Sequence, residues 1–147
     1  MNRIELASIL MFILTSFTSW SQEIKREYIN PTPGYTNAVA VTSGQTRTIY
    51  IAGQVGSGNI MEEQFVTSFQ GVMNQLKDAK AEFSDVVKMT LYIVDYKEEH
   101  LDLISAARKQ IFGTGKMPAI TMMGVEALAF ESMKVETEAV AVQAVND

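Results

Sequence analysis

Nine residues, Val86–Val94 (VVKMTLYIV), constrain this chain more than any other stretch. They are rich in β-branched and aromatic side chains and they alternate. Val87, Met89, Leu91 and Ile93 fall on one face, and Lys88, Thr90 and Tyr92 on the other. That is the pattern of a strand buried on one side. Helical stripes flank it. Upstream, Phe65, Phe69, Val72 and Leu76 recur at helical spacing, and downstream Leu101, Ile104, Ala107 and Ile111 do the same. Asn59 with Glu62, and Asp95 with Glu98, have capping-box spacing at the two helix starts. The first helix is expected to end between Ala79 and Glu82 without the usual glycine stop.

Hairpin signals lie at both ends of this unit. Ala38–Ser43 and Arg47–Ala52 read as strands joined by the turn residues Ser43–Thr46, and Gly53–Gly58 is a loop. After the loop Thr114–Met117, Ala119–Val125 and Met133–Val142 read as the last two strands. The order is β-β-α-β-α-β-β, with room for a short strand near Tyr28. Helices separated by a single strand predict an α+β fold, a mixed sheet with both helices on one face. The other face would carry Tyr50, Ala52, Thr90, Tyr92, Val140 and Val142. Such a half-apolar face invites oligomerisation.

Composition removes several function classes. The chain has no cysteine and one histidine, His100. Thiolate chemistry, multi-histidine zinc sites and the usual catalytic triads are excluded. A net charge of −5 and the lack of a visible basic face argue against a nucleic-acid partner. The first residues, MNRIELASILMFILTSFTSWSQE, have the form of a secretory signal: Arg3, the apolar run Leu6–Leu14, then Ser19-Trp20-Ser21 before Gln22. The apolar run is shorter than the ~20 residues of a spanning helix. Residues 1–21 are therefore expected to be a cleaved signal peptide, and 22–147 a single exported domain (periplasmic or secreted) with no membrane contact after cleavage. An uncleaved anchor and a buried N-terminal helix are the alternatives.

Five segments, GYTNAVAV, YIAGQVG, DVVKMTLYIVDY, MPAITMMGVEAL and VETEAVAV, occur in an order and at a spacing that resemble the RidA/YjgF family of imine/enamine deaminases. The resemblance runs from about Asn30 to Val142. It implies a chorismate-mutase-like fold, a homotrimer with sheets packed centrally, a small-molecule cleft between subunits, and no metal or organic cofactor. In the family's deaminases, water attacks the C=N carbon of a 2-imino acid and ammonia leaves. Carried across, Tyr35 lines the cleft, Gly53 and Gln54 lie beside it with Ala52 in place of a serine, and Glu136 activates water. Pro118-Ala119 begins a Pro-Ala-Arg-Ser signature, but Ile120 stands for the arginine and Thr121 for the serine. Ala129 follows Leu128 where a proline is usual. The frame is kept and the carboxylate clamp is lost. The resemblance therefore implies either a hydrolase for an imine, enamine or related compound without a clamped carboxylate, or a non-catalytic exported binding module.

Each candidate has a plainer reading. Glu136 alternates with Lys134 and Glu138 and reads equally as a cross-strand charge. Tyr35, after the Pro33-Gly34 turn, reads as an aromatic cap on a sheet edge. Ile120 is simply apolar, and a buried anion beside it would lack a partner. Lys116, Arg108 and Lys88 are the cations available to replace the clamp, and each also reads as a solvated or ion-paired charge. Met122 and Met123 read as core and cleft wall, and His100 as a surface residue.

Overall fold

The computed structural model describes residues 23–145; the expected signal peptide lies outside the described residues. Eight main elements follow in order: β1 (Ile24–Thr32), β2 (Tyr35–Ser43), β3 (Thr46–Val55), α1 (Met61–Asp78), β4 (Val86–Val94), α2 (His100–Phe112), β5 (Ala119–Val125) and β6 (Val135–Ala144), with a 3-10 turn at Phe83–Asp85 before β4. They form one six-stranded sheet in the order β1-β2-β3-β6-β4-β5. Every neighbouring pair is antiparallel except β4 and β5, which run parallel and are connected through α2. This is the expected α+β mixed sheet with two helices.

The core lies between the helices and one sheet face. Ile49, Ile51, Met89, Leu91, Ile93 and Val135 come from the strands, and Phe65, Phe69, Val72, Leu76, Ile104 and Ala107 from the helices. Burial of such side chains is worth about 1.5–3 kcal/mol each. Thr137, a polar residue on this face of β6, is wholly buried and pairs with the Ser68 hydroxyl at 2.6 Å. Gln64 is also buried. Its amide donates to the carbonyls of Gly58 (3.1 Å) and Ser132 (2.9 Å), and its oxygen accepts from Lys134 N–H (2.7 Å). One α1 side chain thereby holds both the entry to its own helix and the loop that leads into β6.

Several local features differ from the sequence expectation. β1 is a full nine-residue strand; its charged sequence hid it, since little beyond Ile29 marks a buried face. In β4 the register shifts between Val86 and Lys88, so Val86 enters the core and Val87 is left 49% exposed. The extra residue of a bulge faces no partner. The caps at Asn59 and Asp95 do not form. α1 begins after Ile60, and Glu63 rather than Glu62 accepts the Asn59 N–H at 2.8 Å. Asp95 takes φ +51, and α2 begins only at His100. The absent glycine stop of α1 is replaced by Lys80 at φ +57, with Ala81 N–H bonding Leu76 O and Lys80 N–H bonding Lys77 O, the paired bonds of a Schellman ending. His100 is not a surface residue. It is buried, edge-on to Phe65 and Tyr96, and its Nδ1 accepts the Lys97 N–H at 3.2 Å.

The two sheet edges are unlike. β1 carries Lys25, Arg26, Glu27 and Pro31, the residues that guard an edge against further pairing. β5, AITMMGV, has no charge or proline, and Ile120, Met122 and Met123 are 37–46% exposed.

Candidate functional site

Strand alternation sorts the predicted site residues onto two sides of the sheet. On the face away from the helices, two cross-strand rows are set by register: Glu138–Thr90–Thr121 and Glu136–Tyr92–Met123, across β6, β4 and β5. The Lys88 ammonium donates to the Thr121 hydroxyl. The Tyr92 hydroxyl donates to Glu138 Oε1 at 3.1 Å. Burial holds the Tyr92 phenol above its ordinary pKa, helped by the hydrogen bond and charge of Glu138 and the charge of Glu136. A concavity of about 470 Å³ opens on this face, lined by Val39, Tyr50, Ala52, Lys88, Thr90 and Glu138 among others. Its size is that of a small-molecule site.

Gly53 and Glu136 are brought together by a bulge. Ile51 pairs with Ala139 and Gln54 with Thr137, so Ala52 and Gly53 both stand opposite Glu138. A Cβ at Gly53 would collide with the Glu136 carboxylate; only glycine leaves that space. The sequence reading puts Gly53 in a loop; β3 instead continues to Val55, and a glycine inside the alternating run RTIYIAGQV is the signal that marks such a bulge. The bulge also sends Gln54 to the helix side, where it is buried, its amide donating to Ala52 O at 2.9 Å and its oxygen accepting from Gln75 at 3.4 Å.

The remaining candidates lie elsewhere. Ile120 pairs with Met89, a core residue, and with Met122 it faces the helices, while Thr121 between them faces the open side. Ala119 is exposed at the start of β5. Tyr35 stands at the β1–β2 turn, 60% exposed. Lys116 is exposed on its loop, and Arg108 of α2 lines the same groove as Ile120. Within one protomer, therefore, Gly53, Glu136 and Thr121 share a face, and Ile120 and Gln54 do not join them.

A family model described as Endoribonuclease L-PSP matches residues 25–143, nearly all of the described chain. The chain belongs to this family, the YjgF/RidA family. Solved members agree with the fold. A YjgF/YER057c/UK114-family protein from Mycobacterium tuberculosis, Rv2704, is 27% identical with a TM-score of 0.65, covering 80% of this chain and 98% of its own. The Rid-family protein YyfB from Yersinia pestis is 28% identical with a TM-score of 0.62, covering 79% and 97%. At 23% identity, E. coli TdcF, solved with bound serine, shares the fold with a TM-score of 0.64 over 78% of this chain and 91% of its own. No curated protein matches the chain. Ile120, which the resemblance set at the place of the family's arginine, faces the helix side of its strand.

Proposed function

We propose that this protein is an exported RidA-type homotrimer that hydrolyses a small imine or enamine lacking a carboxylate, in a cleft between subunits. The observation that carries the reading is the Glu136 carboxylate lodged against the bare Cα of Gly53 on the open sheet face. Around it the polar field is acidic, with Glu138 and Tyr92 adjacent, and Lys88 is engaged by Thr121. An anionic 2-imino acid finds no guanidinium fork there. A protonated iminium with uncharged substituents finds a complementary charge.

In the proposed reaction, water attacks the iminium carbon while Glu136 takes its proton. Glu136 returns that proton to nitrogen, giving a tetrahedral carbon that bears a hydroxyl and an ammonium group. Loss of ammonia and the hydroxyl proton then leaves the carbonyl compound and ammonium. The open face supports the trimer, because half-apolar strand residues there lack a cover; Tyr35 and the Ala119–Thr121 backbone would complete the cleft from neighbouring copies. The acidic balance, net −5, speaks against RNA as the substrate, whatever the family's descriptive name suggests. A second reading, a binding module without catalysis, is favoured by Ile120 itself.

The test is competition for the imine that a flavin amine oxidase releases from benzylamine; because the imine reacts with added semicarbazide faster than benzaldehyde does, hydrolysis reads as slower semicarbazone formation. The protein should divert the imine to benzaldehyde and ammonia, Glu136→Gln should not, and 2-iminobutyrate should hydrolyse at the buffer rate. Acceleration of 2-iminobutyrate, or full activity in Glu136→Gln, overturns the proposal. Binding of the imine with no turnover would favour the second reading.

A further inference from the structure

A second pocket lies on the opposite side of β5 from Glu136. It is a groove of about 210 Å³ between α2 and the β4–β5 pair, with Phe69, Met89, Leu91, Phe112, Ile120 and Met122 among its lining. Met89 and Leu91 form a floor with almost no exposure, and Ile120 and Met122 are the accessible wall. One charged side chain lines it: Arg108, four residues from both Ile104 and Phe112 and so on the same helix stripe. Arg108 is half-buried, and it makes no hydrogen bond or ion pair among the described residues.

An unpaired guanidinium at the side of a dry groove is an incomplete arrangement. Arginine's planar fork matches a carboxylate bidentately, and the partial loss of water around it strengthens that attraction. The rest of the groove offers only aliphatic, thioether and aromatic surface. An apolar cavity of about 150 Å³ holds a benzene ring, so this groove admits an apolar body of about six carbons.

We infer that this groove binds an apolar monocarboxylate of about six carbons, its hydrocarbon chain against Ile120, Met122 and Phe112 and its carboxylate on Arg108. The site is complete within one protomer and does not depend on Glu136 or on assembly. Because Ile120 and Thr121 point to opposite sides of β5, a carboxylate held at Arg108 is not presented to Glu136, so the groove is a binding site separate from the proposed hydrolytic one.

Isothermal titration with hexanoate and its neutral isostere hexanamide tests the inference, with no imine present, so it fails or succeeds independently of the hydrolysis reading. Hexanoate should bind once per protomer and at least tenfold more tightly than hexanamide, as expected for one charge-assisted contact. Arg108→Gln should reduce hexanoate to the hexanamide level, and Arg108→Lys should keep part of the difference. Ile120→Trp, which fills the groove, should abolish binding of both. Each variant is first shown to melt as the parent does; Arg108→Gln removes a side chain with no partner and leaves the core intact. Equal affinity for hexanoate and hexanamide, unchanged hexanoate binding in Arg108→Gln, or no hexanoate binding at millimolar concentration overturns the inference.

Discussion

Gly53→Ala gives the sharpest test of the bulge that seats Glu136. Gly53 is not at positive φ, so alanine meets no backbone penalty, and replacing a strand glycine by alanine should by itself gain roughly 0.5–1 kcal/mol. Against this, the new methyl occupies the position of the Glu136 carboxylate. Overpacking of that kind costs about 1–3 kcal/mol. Glu136 is half-exposed and can swing toward solvent, which sets the cost near the lower part of that range. Set against the gain, the single mutant should be destabilised by about 0–1.5 kcal/mol. In a Glu136→Ala background the clash is absent and Gly53→Ala should stabilise slightly. The coupling between the two sites should equal the clash, about 1–2 kcal/mol, well above the ~0.5 kcal/mol of independent sites. Urea unfolding of the four proteins at one protomer concentration measures it; for a domain of this size each kcal/mol is about 3–5 °C in Tm. A coupling below about 0.5 kcal/mol would falsify the close approach of Glu136 to Gly53.

Gln64→Leu removes the three hydrogen bonds that a buried side chain makes to backbone groups, each worth about 0.5–1.5 kcal/mol, so it should cost about 2–4 kcal/mol; denaturant midpoints report it, and a loss below about 1 kcal/mol refutes the clamp. The Tyr92 phenol has a folded pKa above its unfolded value of 10.0, so the native state keeps its proton longer. Stability should fall as pH rises from about 10 through the folded pKa, and a Tyr92→Phe variant should lose that part of the slope in melting curves taken from about pH 8 to 11. His100→Ala opens a cavity beside Phe65 and Tyr96 and should lower Tm by more than about 5 °C. Light scattering of protein starting at Gln22 should give a trimer at micromolar concentration, and a monodisperse monomer there would remove the inter-subunit cleft.

Apolar periodicity made most elements legible. β5 is found at its expected bounds, and the stripes of α1 and α2 bury Phe65, Phe69, Val72, Leu76, Ile104 and Ala107. Signals carried by single polar residues were less dependable. Asn59 and Asp95 have cap chemistry, but the chain at Asp95 enters a left-handed conformation and the helix starts five residues later. His100 reads as exposed from its acidic neighbours Glu98 and Glu99, yet the aromatic rings that bury it lie on α1 and in the β4–α2 loop. For the candidate site the family resemblance named Gly53, Glu136 and Ile120 as positions, but the side of the sheet each one faces was not legible, because it depends on the bulge after Ile51 and on the parallel pairing of β5, both of them long-range facts.

The bare edge at β5 bears on how the molecule reaches its native state. β5 pairs in parallel with β4 across the α2 crossover, and such non-local parallel pairing is slow. Until that edge is covered, a newly made chain offers Ile120, Met122 and Met123 beside unpaired backbone groups, with no charge or proline to turn another strand away. Productive pairing and aggregation then compete for the same strand. The yield of refolding should therefore decline at high chain concentration, where collisions between unfinished molecules outpace completion of the sheet.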